Sequence, residues 1–187
     1  FFFFLVFLGL SGCTGVAGYG VVANMSLVGM AITNGMAQGT QPLISESFGK
    51  GEHGQVKKLL RWALPSVIVV EVAMVILVWI FTDPFVAAFN SENNLLLLKY
   101  AHTGLRLYFL GFLFAGVNIM LVAYFSATAN ARPAIIGSLL RGAVAIAVCA
   151  IVLAKLLGMN GVWLSFLASE MLTFVVILIL SKHKENR

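Results

Sequence analysis

Long apolar runs separated by short polar segments make up most of this chain. Most of the runs approach the ~20 residues that an α-helix needs to cross the hydrocarbon core of a membrane. They are continuous, without the alternation that is typical of a transmembrane β-strand. The pattern predicts spans at about residues 1–10 (partial), 16–44, 63–81, 103–127, 134–156 and 162–180.

Polar and turn-forming residues predict the connections between these spans. Small residues at Ser11–Gly15 favour a tight turn, and Pro42 favours a kink or an end of the second span. Residues 45–62 read as a polar loop, of which 52–62 favours an amphipathic surface helix. The remaining predictions are an end of span three at residues 82–84, a short interfacial helix at 95–98, turns at 128–133 and 158–161, and a tail at 181–187.

Composition supports lipid as part of the solvent. The chain is 60% hydrophobic and 10% charged, with a mean hydropathy of +0.99. A soluble domain averages about 45–50% apolar and about 25% charged residues. The predicted class is therefore an all-α membrane protein, a polytopic helix bundle with five full spans and a truncated first one. Because the chain starts inside an apolar run without Met, we expect a fragment of a longer protein.

The charges predict orientation rather than a polyanionic partner. The net charge is +5, and Lys and Arg gather at span ends on one side. By the positive-inside rule, the 45–62 loop, the 128–133 turn and the 181–187 tail are cytoplasmic. We expect a multi-pass protein of the cell inner membrane or plasma membrane, with no nucleic-acid partner. The two cysteines, Cys13 and Cys149, lack metal-ligand spacing, and no metal site or resident cofactor is expected.

Several short motifs follow one another in a fixed order along most of the chain. The most specific is the run from Gly35 to Gly51, which contains a Gln-Gly-x-Gln-Pro sequence at the end of the second span. The supporting motifs are Gly18-Tyr19-Gly20-Val21-Val22-Ala23-Asn24, Phe125-Ser126-Ala127-x-x-x-Ala131-Arg132-Pro133-Ala134, Leu139-Leu140-Arg141 and Gly158-x-x-Gly161-Val162-Trp163-Leu164 with Glu170. Together they resemble the multidrug and toxic compound extrusion (MATE) family of cation-coupled antiporters.

The resemblance implies one half of a transporter. Family members have twelve helices in two six-helix lobes, and this chain resembles the second lobe, so its partner would be the missing N-terminal lobe. The implied function is efflux of drug-like organic cations against Na⁺ or H⁺ by alternating access. In many bacterial members the coupling carboxylate lies on the first helix. Span four has no Asp or Glu, so the second-lobe acidic pair that some members use is not expected here.

Two other functions are alternatives to efflux. A flippase of the same superfamily, moving a lipid-linked saccharide, needs several cationic side chains in its cavity to hold pyrophosphate. Only Arg106 and Arg141 come near a span interior. An intramembrane enzyme needs a nucleophile–base pair or a metal cluster. The three histidines, His53, His102 and His183, lie in loops or at span ends, so we predict that the chain is not an enzyme.

Candidate site residues are the ionisable and amide groups within spans. Glu71 and Glu170 lie near the middles of spans three and six, where an ionisable residue is a functional candidate by default. Each has two open roles: cation binding, or burial in protonated or paired form. The cavity candidates, for which interhelical hydrogen bonding is an equal alternative, are Asn34, Gln38, Gln41, Asn118 and Tyr124.

Overall fold

The computed structural model describes the backbone of residues 2–90 and 94–185, and side chains outside 2–8, 10–14, 143 and 182–185. These residues form helices joined by short connections. The elements are α1 (Phe2–Gly49), α2 (His53–Ile80), α3 (Thr82–Phe89), α4 (Leu95–Phe109), α5 (Phe112–Ala127), α6 (Ala131–Leu139), a π-helical turn (Leu140–Val144) and α7 (Ala145–Glu185).

Helix α1 is one continuous helix, where the sequence predicted a partial span, a turn and a second span. The predicted turn at Ser11–Gly15 is wrong, because the helix runs through it. The helix also continues through Pro42 to Gly49, so Pro42 does not end it. A membrane helix tolerates Gly and Pro because neighbouring helices and hydroxyl groups satisfy the few backbone groups left free.

The predicted 45–62 loop is much shorter in the structure. Helix α2 begins at His53, so only Lys50–Glu52 connects it to α1. Gly51 makes this turn possible with a positive φ of 77°, a conformation that glycine adopts without strain. From His53 onwards the amphipathic segment is helical and continuous with the span, and Pro65 lies inside α2.

The fourth span is bent and starts earlier than predicted. Asn94 caps α4 by accepting hydrogen bonds from the backbone N–H groups of Leu96 and Leu97. Leu95–Leu98 is therefore the first turn of this helix, and the separate interfacial helix predicted there is wrong. Helices α4 and α5 meet at an angle of 44° after a two-residue break.

The last two spans follow each other in one helical run, and the chain reverses direction at Gly158. This glycine has φ 59° and ψ −135°, which is not helical. Arg141 contacts Glu170 although they are 29 positions apart. In a straight helix those residues would be separated by roughly 43 Å at 1.5 Å per residue. The chain must therefore fold back between them, which agrees with the turn predicted at 158–161.

The helices form a bundle with many exposed apolar side chains on its outer surface. Helix α1 packs against α2, α4 and α5, and the second part of α7 packs against α4 and α5. Trp163, Phe109 and Phe112 are the largest side chains of the main core. In the described part of the chain, Gly15–Gly49, His53–Ile80 and Ala131–Ser181 are long and apolar enough to cross a membrane, and the bent α4–α5 pair adds another crossing. The predicted class, an all-α membrane bundle, is confirmed.

Candidate functional site

Two acidic side chains lie buried inside the bundle. Glu71 of α2 is 1% exposed and Glu170 of α7 is 2% exposed. An ionised carboxylate at this depth is costly unless it has a partner of opposite charge and hydrogen bonds. The surroundings of each carboxylate therefore decide what it can do.

Glu170 lies in an ion-pair network with Arg141 and Asn118, in which the buried Asn118 Oδ1 atom has no hydrogen-bond partner among the described residues. The Asn118 Nδ2 group donates to Glu170 Oε2 at 2.7 Å and to the Glu170 backbone oxygen at 2.8 Å. Arg141 Nε lies 3.2 Å from each of the two carboxylate oxygens. These contacts join α5, the π-helical turn and α7. A cation and an amide together compensate the buried charge, so the arrangement stabilises an ionised Glu170.

The π-helical turn brings Arg141 to this position. Such turns are rare and usually occur inside α-helices at functional sites. Leu140–Val144 separates α6 from α7, and Arg141 is its second residue. The Arg141 side chain is 19% exposed and the Glu170 side chain is 3% exposed. The pair is therefore largely buried, with Arg141 nearer to the bundle surface than Glu170.

Glu71 has a different environment. Its Oε1 atom lies 2.6 Å from the Thr33 hydroxyl, and that hydroxyl lies 3.0 Å from the backbone oxygen of Gly29. Among the described residues, no hydrogen-bond partner is found for Glu71 Oε2, which is fully buried. Thr33 belongs to α1 and is itself 1% exposed, so this contact joins α1 to α2 inside the bundle.

Glycine at position 116 makes room for the Glu71 side chain. A Cβ atom there would collide with Glu71 Oε1 and would lie 2.6 Å from Val67 Cγ1. Helix α5 therefore approaches α2 closely at Gly116. Val67 and Met120 belong to the apolar cluster that lies between these helices. The carboxyl group of Glu71 thus lies where α1, α2 and α5 meet.

Glu71, Glu170, Thr33 and Arg141 make up the candidate centre. The charges of Glu170 and Arg141 affect Glu71 less than its burial and its contact with Thr33 do. The sign of the two interactions is opposite, because Glu170 repels a negative charge on Glu71 and Arg141 attracts it. Arg141 donates its hydrogen bonds to Glu170, so its charge is largely matched there.

The cavity candidates divide into an exposed and a buried group. Asn34 and Gln38 are exposed on α1, and Gln41 is partly exposed. Asn118 is different, since it is 0% exposed and bonded to Glu170. The sequence left two roles open for Asn118, cavity lining and interhelical hydrogen bonding. Its burial and its bonds to Glu170 correct the first and favour the second. Tyr124 is half-buried beside Phe125, and its role stays a prediction.

Two residues of the centre were not selected from the sequence. Thr33 is one of many small polar residues on α1, and nothing in its local sequence marks it. Arg141 lies within an apolar stretch, as Glu170 does. These two opposite charges inside neighbouring spans are the sequence signal that could have indicated an ion pair. The pairing of Arg141 with Glu170 depends on the reversal at Gly158, where the sequence predicted a turn, and on the π-helical turn, which the sequence did not predict.

Comparison with known families gives a match over most of the chain. The family model described as MatE matches residues 1–154. The multidrug export protein MepA of Staphylococcus aureus (strain MSSA476) is 30% identical over 172 residues, which cover 89% of this chain and 36% of that protein. MepA of Staphylococcus saprophyticus is 26% identical over 170 residues. The chain thus spans little more than a third of the length of these curated relatives.

Solved structures share the fold at lower identity. An outward-facing multidrug resistance MATE transporter of the MOP superfamily has a TM-score of 0.88 at 18% identity, over 98% of this chain and 41% of that one. An inward-facing conformation has a TM-score of 0.89 at 20% identity, over 98% and 42%. The fold of this lobe therefore matches one lobe-sized portion of both conformations.

Proposed function

The chain belongs to the MatE family, and from that membership we propose that it forms one lobe of a multidrug efflux transporter. The full protein would export drug-like organic cations in exchange for Na⁺ or H⁺. The chain is a multi-pass membrane protein, and we further propose that it lies in the cell membrane with a cytoplasmic C-terminus. The other lobe would be the missing N-terminal half of the same protein.

A polar stripe on the outer face of α1 carries this proposal. Asn24, Asn34 and Gln38 are exposed and Gln41 is partly exposed. At 3.6 residues per turn, these four positions fall within about 100° of the helix circumference. Amide groups are costly against lipid, so in a membrane they face protein or a water-filled cavity. A cavity shared with a second lobe would satisfy this requirement.

The same stripe suits organic cations. Amide oxygens accept hydrogen bonds from protonated amines, and exposed apolar side chains beside them, such as Leu27 and Val28, contact hydrocarbon groups. Ligand sites in proteins combine a mostly apolar lining with a few polar groups in this way. We place the drug path along this face of α1, with Tyr124 as a further candidate.

Alternating access is the transport mechanism that we propose. One lobe would rock against the other, and ion binding would bias the inward or the outward state. The nearly equal TM-scores of 0.88 and 0.89 with outward-facing and inward-facing structures support a lobe that keeps its fold in both states. The flippase alternative is not favoured, because Arg141 is engaged by Glu170 and so is not free to hold a pyrophosphate.

The test uses the full two-lobe protein in a drug-sensitive host. We expect efflux of a cationic dye that stops when the ion gradients are collapsed. The double substitution Gln38→Leu and Gln41→Leu should lower efflux several-fold, whereas Ile179→Leu, at an exposed apolar position of α7 away from this face, should leave it unchanged. Efflux that persists without any gradient, or that is unaffected by the double substitution, would overturn the proposal.

A further inference from the structure

If the Glu71 carboxyl group is ionised, too few hydrogen atoms are available for the two short oxygen–oxygen contacts beside it. The Thr33 hydroxyl lies within bonding distance of two acceptors, Glu71 Oε1 at 2.6 Å and the Gly29 backbone oxygen at 3.0 Å. A hydroxyl has one hydrogen to donate. With an ionised Glu71, one of these two short oxygen–oxygen contacts would have no hydrogen between its atoms.

A protonated Glu71 supplies the missing hydrogen. The carboxylic O–H would donate to Thr33 Oγ1, and the Thr33 hydroxyl would donate to the Gly29 oxygen, so both contacts become hydrogen bonds. The 2.6 Å distance lies within the usual range for such O–H···O bonds. The buried Oε2 atom, which has no partner among the described residues, then carries only the partial charge of a carbonyl oxygen.

We propose that Glu71 is the proton-binding site of this lobe, and that the transporter is therefore coupled at least in part to H⁺. The inference rests on the proposed efflux function and narrows its coupling ion. It also assigns an ionisable coupling group to the second lobe, although span four carries no acidic residue. The group lies instead on α2.

The surroundings of Glu71 suit a proton better than a metal cation. Hard cations take several oxygen ligands, whereas the one hydrogen-bonding side chain found on this carboxyl group among the described residues is the Thr33 hydroxyl. The Thr33 hydroxyl already bridges to a helix carbonyl. A proton needs a single acceptor, and the 2.6 Å contact provides it.

Loss of the proton would couple to movement of the helices. An unpaired carboxylate in the bundle would cost several kcal/mol, so deprotonation requires water or a change in the α1–α2–α5 contact. The charged groups that act on Glu71 are Glu170, which disfavours a second negative charge, and Arg141, which favours it. The charges of Glu170 and Arg141 therefore act on Glu71 in opposite directions. Proton release on one side of the membrane would thus accompany a repacking of these helices.

Infrared difference spectroscopy of the full-length transporter in lipid tests the site directly. Spectra taken in acidic and alkaline buffer should contain the carbonyl band of a buried protonated carboxyl group. Glu71→Gln should remove that band. Glu46→Gln, at an exposed glutamate paired with Lys50, should leave it intact. A band that survives Glu71→Gln would overturn the proposal, as would a wild-type spectrum without the band.

Transport measured in proteoliposomes separates this inference from the broader function. A pH gradient should drive dye uptake into the vesicles for the wild type, and Glu71→Gln should lose most of the H⁺-driven component while still binding dye. If the vesicles transport no dye but the infrared band behaves as expected, efflux fails and the proton site stands. If H⁺-driven uptake in Glu71→Gln equals that of the wild type, the coupling role of Glu71 is refuted while efflux stands.

Discussion

Glu71 and Glu170 are equally buried carboxyl groups on two helices of the same bundle, yet their surroundings differ in kind. Glu170 receives hydrogen bonds from the Asn118 amide and from Arg141. Glu71 contacts one hydroxyl, and its second oxygen is buried without a partner among the described residues. Burial alone therefore does not assign a role to an acid in a membrane protein. The partner of each acid assigns its role. Arg141 stabilises the negative charge of Glu170, whereas Glu71 has no cation among its described contacts and is therefore more stable in its neutral form.

This difference suggests a division of work. The Arg141–Glu170–Asn118 network ties α5, the π-helical turn and α7 together with charges that stay in place. The Glu71–Thr33 contact ties α1 to α2 with a hydrogen bond that depends on a proton. The first is suited to hold the lobe together, and the second is suited to change during a transport cycle.

The largest effect should come from breaking the ion pair. Arg141→Met leaves the Glu170 carboxylate buried with only Asn118, and removing one partner of a buried pair typically costs about 3–5 kcal/mol. Thermal unfolding of the full protein in detergent, followed by a fluorescence assay, should record this loss. The double variant Arg141→Met with Glu170→Gln should recover much of it, and a double variant no more stable than the single one would contradict a paired role.

A smaller effect is expected where α5 approaches Glu71. Gly116→Ala places a Cβ against Glu71 Oε1 and Val67, and such overpacking typically costs about 1–3 kcal/mol. The same unfolding assay measures it. Gly35→Ala is the matched control, because a Cβ there meets nothing within 4 Å. Equal stability of the two variants would show that the close approach at Gly116 is not required.

The smallest effect concerns the hydroxyl that contacts Glu71. Thr33→Val keeps the shape but removes both of its hydrogen bonds, and the loss of one such bond costs about 1 kcal/mol. Thr40→Val is the control, since Thr40 bonds only within α1, to the Met36 backbone oxygen. Thr33→Val should lower the unfolding temperature more than Thr40→Val. The reverse order would argue that the interhelical contact contributes nothing.

Much of this architecture follows from the apolar runs, because crossing the hydrocarbon core requires helices of a minimum length. The ends of the helices follow less well. Pro42 and Pro65 signal helix ends in water, but both lie inside helices here. Packing in a bundle compensates for the one hydrogen bond that each removes. Local polarity likewise favoured a loop at 45–62, although residues 45–49 belong to α1 and residues 53–62 to α2.

The members of the site that the sequence predicted are the two acids and Asn118. In the sequence, Glu71 and Glu170 stand out as charges within apolar runs. That position alone is compatible with cation binding and with burial in protonated or paired form, so both roles remained open for each acid. Their distinction depends on Arg141 and Thr33, which approach them through the reversal at Gly158 and through the packing of α1 on α2. Those are tertiary contacts between residues 29 and 38 positions apart, and no local pattern encodes them.

The most direct test compares one substitution at the two acids. Glu→Gln replaces a protonated carboxyl group with a neutral group of the same shape, but it removes the charge from an ionised one. At neutral pH, Glu71→Gln should change the free energy of unfolding by less than about 1 kcal/mol, whereas Glu170→Gln should lower it by about 3–5 kcal/mol by leaving Arg141 without its carboxylate. Equal losses in the two variants, or a greater loss at Glu71, would contradict the assignment of a neutral Glu71 and an ionised Glu170.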